Sequence, residues 1–126
     1  MPGMKQILGH WGEQVAVDFL CNQGYTLLAR NVRTPHGEID LIMQDIGEAQ
    51  NTIVFVEVKA RRTRLFGPPE EAVNWRKQAH LKAAIAYYMQ HNPHPGLDWR
   101  VDVIAIEKFS DTDPPQVTHF ENALTG

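Results

Sequence analysis

The run "TIVFVEVKA", residues 52–60, constrains the fold more than any other stretch of this chain. Its β-branched and aromatic residues favour a strand, and Ile53, Val54, Phe55 and Val56 place apolar side chains on both faces of it. Successive side chains of a strand point to opposite faces, so both faces are buried only where each side of the sheet is covered. The run therefore predicts a central strand in a layered structure. Two stretches can supply the covers. Ile7, Trp11, Val15 and Phe19 recur at every fourth residue, predicting an amphipathic helix over residues 5–22 that Gly24 stops. A second helix is predicted over roughly residues 69–90, entered through Gly67, Pro68 and Pro69 and ended by "NPHPG".

The remaining elements are strands. "YTLLARNVR" reads as a short strand, and "GEIDLIMQD" sets Ile39, Leu41 and Met43 against Glu38, Asp40 and Ile42. The polar "DIGEAQN" joins it to the central run as a hairpin, so the two strands are predicted to be antiparallel neighbours. "DWRVDVIAIEKF" is a further alternating strand, and "QVTHFEN" a weak last one. The order α, three β, α, then one or two β predicts an α/β fold. It is read as a single-domain α/β/α sandwich, with a mixed four- to five-stranded sheet and a helix on each face. A chain of 126 residues, 43% hydrophobic, can bury the core of one such domain without staples.

Cys21 is the one cysteine, which precludes an internal disulfide and makes a reducing, cytoplasmic location the default expectation. "MPGMKQILGHWGEQ" reaches Gly12 and Glu13 before a long apolar run develops, so neither a signal peptide nor a membrane span is expected. A formal charge of −3 argues against a strong nonspecific polyanion binder. The charge is nevertheless segregated: Lys59, Arg61, Arg62 and Arg64 cluster, whereas Glu107, Asp111, Asp113 and Glu121 mark the C-terminal part.

The acids inside apparent strands carry the functional reading. Glu38 and Asp40 share one face of their strand, and Glu57 and Lys59 share one face of the next. If both pairs point the same way, two or three carboxylates and an ammonium converge. Crowded, poorly hydrated carboxylates repel one another, and a divalent cation removes that cost. An all-oxygen set favours Mg²⁺ or Mn²⁺ over zinc. Glu13 lies on a helical face with Gly9, Ala16, Val17 and Leu20, which makes it a further candidate carboxylate, with Gly9 and Gly12 expected to bring that helix close to the sheet. Lys77 lies on the stripe of Val73, Leu81 and Ala84, from which it either reaches the acids or the substrate or snorkels past the stripe.

Each candidate has a plainer reading. Asp40 and Glu57 could be solvated edge acids, though the apolar surroundings of the central strand disfavour that, and Lys59 could simply pair with one of them. Glu38 is expected to flank the site or face a turn rather than serve as a ligand. Asp102 is expected to pair with Arg100 or with a basic helix residue. His91 and His94 are broken up by Pro93 and Pro95, which argues against a zinc site.

"EID" followed by "EVK" resembles the Asp-Xn-Glu-x-Lys signature of the PD-(D/E)xK nuclease superfamily. More closely, "GHWGE", "GY", "RN", "GEIDLI", "VFVEVKAR", "FGPPEEAV" and "RVDVIAI" are similar, in order and spacing, to the YraN family of small bacterial proteins, itself similar to archaeal Holliday-junction resolvases. The resemblance spans about residues 9–106; the superfamily's proline before the first acid is Ile39 here. It implies a restriction-endonuclease-like fold and Mg²⁺- or Mn²⁺-dependent phosphodiester hydrolysis of DNA, including branched or structured DNA, by a protein that acts as a homodimer. It implies Asp40, Glu57 and the Val58 carbonyl as metal ligands, Lys59 as the residue that orients water and steadies negative charge, and Glu13 as the helix glutamate of the catalytic set. Arg61, Arg62, Arg64 and Lys77 are the candidate substrate contacts, and a nucleic-acid-binding module that no longer cuts is the rival reading.

Overall fold

A computed structural model describes residues 4–47, 51–61 and 75–123, with side chains from residue 7 in the first helix and residue 78 in the second. The elements run α1 (Met4–Asn22), β1 (Tyr25–Thr34), β2 (Gly37–Ile46), β3 (Asn51–Arg61), α2 (Trp75–His91), β4 (Asp98–Glu107) and β5 (Gln116–Phe120). The five strands form one sheet in the order β1-β2-β3-β4-β5. β3 and β4 are parallel, joined through α2, and the other neighbours are antiparallel. The sheet is therefore mixed, and the chain is an α/β protein with a helix on each face.

The run that predicted a central strand is the middle strand. Ile53, Val54 and Phe55 are completely buried and Val56 is nearly so. Val54 and Val56 pack with Leu41, Met43, Ile104 and Ile106 against Ala16, Val17 and Leu20 of α1. Ile53 and Phe55 pack with Ile39, Ile42 and Val101 against Leu81, Ala84 and Ile85 of α2. Each fully buried side chain of this size contributes roughly 1.5–3 kcal/mol, so the two-sided burial of β3 is the main anchor of the three layers.

The face of α1 that carries Glu13 is the one that meets the sheet, as expected, while the alternation read for β2 is corrected. The face of α1 turned to the sheet is Gly12, Glu13, Ala16, Val17 and Leu20, whereas Ile7 is 49% exposed and Trp11, Val15 and Phe19 only flank the core. The four-residue spacing marked one edge of a wider apolar face. Strand β2 does not alternate throughout: Ile39 packs with Ile42 on the α2 side, while Leu41 and Met43 lie on the α1 side. The alternation breaks between Asp40 and Leu41. Here the β2–β3 ladder, which runs from Ile46↔Asn51 to Leu41↔Val56, ends. On the other side β1 is also irregular, with a register shift between Leu27 and Ala29 and a left-handed Asn31 at φ 51°.

Helix α1 stops as expected. Gln23 N–H donates to the Leu20 carbonyl and Gly24 N–H to that of Cys21, while Gly24 takes a φ of 95° that only glycine adopts without cost. The predicted start of the second helix, residues 69–74, lies outside the described residues; its end at His91 agrees with the "NPHPG" signal.

Candidate metal and phosphate site

Strand β2 parts from β3 beyond Leu41, and the β2–β3 ladder ends there at Leu41↔Val56 among the described residues. Asp40 fills the gap: its Oδ2 accepts a hydrogen bond from Val58 N–H at 2.8 Å. In an extended strand a residue's N–H and C=O point to the same side, so the Val58 carbonyl shares this edge. The acid thus stands where a ladder bond would otherwise be, which is why a carboxylate is tolerated inside an apolar strand.

Helix α1 delivers the second acid. It passes so close to β3 that a Cβ on Gly12 would lie 2.7 Å from the Cβ of Ala60 and 3.6 Å from Val58 Cγ1. Only glycine allows that approach, and the next residue, Glu13, is set into the interface at 8% exposure. A Cβ on Gly9, by contrast, would meet nothing within 4 Å. The expected close approach is therefore made by Gly12 alone.

The carboxylates of Glu13, Glu38 and Asp40 offer oxygens that all lie within 4.8 Å of one another. Glu38, expected to flank the site or face a turn, is thereby placed among the acids. Among the described residues the buried Glu13 Oε1 has no hydrogen-bond partner; His10 Nδ1, 4.0 Å away, is too far for a hydrogen bond. A buried oxygen left without a donor is costly, and it fits a group that takes up a hard cation. The donor set is all oxygen, so Mg²⁺ or Mn²⁺ suits it better than zinc.

Glu57 and Lys59 follow Phe55 by alternation, toward the α2 side of β3. Lys59 Nζ lies 3.4 Å from Glu57 Oε1, and both side chains are about four-fifths buried, at 22% and 19% exposure. Asp40 feels both sides. Burial pushes its carboxyl up to about 7, with Glu57 and then Glu13 adding to the rise, while Val58 N–H and Lys59 act against it. Asp40 thus stands between Glu57 and Lys59 on the α2 side of β3 and Glu13 on the α1 side, and feels the charge of each.

The other candidates are placed less fully. Arg61 is half-buried on the last rung of β3, opposite Glu107, and its carbonyl accepts Lys108 N–H. Arg62, Arg64 and Phe66 lie outside the described residues, and so does the side chain of Lys77, whose backbone belongs to the first turn of α2. His91 Nδ1 is 2.8 Å from the Tyr87 carbonyl, and His94 stacks on Tyr88. The acid read as a salt-bridge partner is one: Asp102, fully buried, accepts from Arg100 Nε at 3.0 Å and from Asn122 N–H at 2.9 Å, and lies 2.7 Å from His119 Nε2. Burial opposes its charge, but His119, Arg100 and Asn122 outweigh that and hold its carboxyl below the ordinary range.

A groove of about 360 Å³ opens beside the acids, lined by Gly9, His10, Glu13, Asn31, Arg33 and Glu38. Arg33, His10 and Asn31 were not singled out by sequence. The β1–β2 register sets Arg33 opposite Glu38, a juxtaposition that residue spacing alone does not reveal.

Comparison with known proteins agrees on one family. A family model described as an uncharacterised protein family, UPF0102, matches residues 12–106. The UPF0102 protein of Syntrophomonas wolfei is 40% identical over 121 residues, 96% of this chain and 100% of the relative. That of Caldicellulosiruptor saccharolyticus is 44% identical over 102 residues, 81% of this chain and 83% of the relative. That of Thermodesulfovibrio yellowstonii is 43% identical over 119 residues, 93% and 95% respectively. These names assign no activity.

Proposed function

The chain belongs to the uncharacterised protein family UPF0102, the family its sequence motifs resemble, and from the chemistry of its site we propose that it is a metal-dependent nuclease. The reaction is hydrolysis of phosphodiester bonds in DNA, with Mg²⁺ or Mn²⁺ as cofactor; branched or structured DNA is the preferred substrate by resemblance. The observation that carries the reading is the unpartnered, buried Glu13 Oε1 among acids that crowd Asp40, with the Lys59 ammonium close by.

Asp40, Glu57 and the Val58 carbonyl hold the cation. When bound, the ion supplies a Lewis acid that lowers the pKa of water and offsets charge on the phosphoryl group. Everything else is done by the chain. Asp40, fixed by Val58 N–H, keeps its carboxylate at the gap in the sheet. Glu57 holds Lys59 near the site through their 3.4 Å pair, so that the ammonium can orient the attacking water and stabilise negative charge on the phosphate. Glu13 completes the acidic wall from the helix side. Arg61, Arg62, Arg64 and Lys77 contact backbone phosphates.

Labelled four-way-junction, duplex and single-stranded DNA, each incubated with Mg²⁺, Mn²⁺ or EDTA, test the reading. Cleavage is expected with either ion and not with EDTA. Asp40→Asn and Lys59→Ala should each lower it by about 10²-fold or more, the scale of losing one electrostatic element. Cleavage that survives Asp40→Asn would remove the catalytic assignment. Salt-sensitive binding without turnover in any ion would replace it with a nucleic-acid-binding module.

A further inference from the structure

From the way the β1–β2 hairpin meets α2 we infer that His36, Tyr87 and His91 form a stacking platform for unpaired bases, which makes DNA with an unpaired strand the substrate class. The inference rests on the proposed function and deepens it. None of the three rings belongs to the acidic cluster or lines the groove beside it.

Two elements build the row. Tyr87 and His91 lie one turn apart on α2, with ring centroids 4.3 Å apart and planes tilted by 30°. His36, in the turn between β1 and β2, stands edge-on to Tyr87 at 6.2 Å and 67°. Both outer residues are positioned by hydrogen bonds. His91 Nδ1 lies 2.8 Å from the Tyr87 carbonyl, which accepts and never donates, so Nδ1 is the donor and the ring plane is fixed. The backbone under His36 is tied by its own N–H donating to Thr34 Oγ1 at 3.1 Å, while that hydroxyl donates to the Gly37 carbonyl at 2.7 Å.

Packing does not account for these rings. Tyr88, the next residue, packs on the α2-side core with its ring edge-on to Phe55. Tyr87 belongs to neither core cluster among the described residues, and His36 and His91 are exposed. The proposed mechanism does not use them either. Ordered, exposed rings suit a sequence-tolerant grip on single strands, because every unpaired base has a π-face to offer. Bases within a duplex are already stacked on both faces.

The surroundings fit the same partner. Arg33 and Glu38 lie opposite each other in this hairpin and line the groove with Glu13 on the α1 side, whereas His36 meets Tyr87 on the α2 side. The Arg33 side chain is 89% exposed. A strand crossing the hairpin tip therefore meets a guanidinium suited to its phosphate and rings suited to its bases. Two imidazoles around one phenol make a polar surface, unlike the apolar centre of a protein interface.

Fluorescence anisotropy in EDTA, where no cleavage is expected, measures binding of labelled oligothymidylate and of blunt duplex of equal length. The parent should bind the oligothymidylate more tightly. Tyr87→Ala and His91→Ala should each weaken single-strand binding about tenfold, the scale of one lost stack, and duplex binding less than about twofold. Tyr87→Phe keeps the ring and should bind like the parent. Thermal melting checks that the variants fold; His36→Ala, at an exposed turn residue, should also lose single-strand binding selectively. No oligothymidylate binding by the parent, equal losses for the two DNAs, or Tyr87→Phe as weak as Tyr87→Ala would overturn the platform. Cleavage in Mg²⁺ judges the nuclease separately. A parent that cuts, with strand binding unchanged in Tyr87→Ala, removes the platform alone; strand binding that depends on Tyr87, without cleavage in any ion, removes the nuclease alone.

Discussion

Asp40 shows how one residue can be written against its local pattern. Its carboxyl sits among apolar strand residues, accepts the Val58 N–H beyond the end of the β2–β3 ladder, and is pushed up to about 7, first by burial and then by Glu57. The sign of the pH effect follows. Because the folded-state value lies above the ordinary aspartate value of 3.8, the metal-free native state binds the extra proton. The stability this contributes is full below 3.8 and is lost as pH rises through about 7. In EDTA, Asp40→Asn should therefore gain on the parent between pH 4 and 8, ending more stable by about 1–3 kcal/mol in thermal or urea denaturation. A parallel pair of stability curves would show that the carboxyl is not held this way. With Mn²⁺ the trend reverses, since the ion competes with that proton and its affinity should rise with pH up to about 7. Asp40, Glu13, Glu57 and Lys59 were all legible as candidates, because an acid or amine on an apolar strand or helix face stands out. Glu38 was not. It read as an acid that flanks the site or faces a turn, because sequence alternation does not say that α1 will lay Glu13 beside it.

At the level of elements, the site depends on how closely α1 approaches β3 and on where β2 leaves it. Gly12 governs the first. A methyl group there would meet Ala60 Cβ at 2.7 Å, an atom rigidly attached to the backbone, so the helix has to move. Gly12→Ala is expected to cost about 1–2 kcal/mol, the overpacking penalty less the gain in helix propensity. It should also lower cation affinity, because Glu13 moves with the helix. Gly9→Ala meets nothing within 4 Å and should be neutral or stabilising by up to about 1 kcal/mol; if both changes behave alike under chemical denaturation, close approach is not the role of Gly12. The other end of the sheet is tied by Asp102, which joins Arg100, His119 of β5 and the Asn122 amide on the α1 side. Asp102→Ala takes a fully buried common partner from Arg100, His119 and the Asn122 amide and should cost about 3–5 kcal/mol in an unfolding titration. A loss below 1 kcal/mol would mean that the cluster behaves like a surface pair. Sequence patterning located each described element, and the Glu13, Ala16, Val17 and Leu20 face of α1 does meet the sheet as expected, yet the alternation misplaced the face of Ile39. A four-residue spacing identifies an apolar stripe without giving its centre, and a strand that bends at Asp40 no longer obeys a period of two.

Across the whole molecule, the two-sided burial of β3 makes the sheet a shared wall between two cores, and the functional groups collect where that wall opens between β2 and β3. The layer order was readable from one strand, because a segment apolar on both faces requires two covers. The net charge of −3 suits a protein that holds cations at a point rather than one that coats itself on DNA. No helix among the described residues is long and apolar enough to cross a membrane. The claim on which the account turns is that the acids around Asp40 exist to hold divalent ions. Crystals of the protein soaked in Mn²⁺ and measured at the manganese absorption edge test it most directly. The account predicts anomalous density within coordination distance of the Asp40 carboxylate, absent from crystals of Asp40→Asn. Saturating Mn²⁺ that leaves no density at Asp40, with Glu13 and Glu38 turned away from each other into solvent, would contradict it.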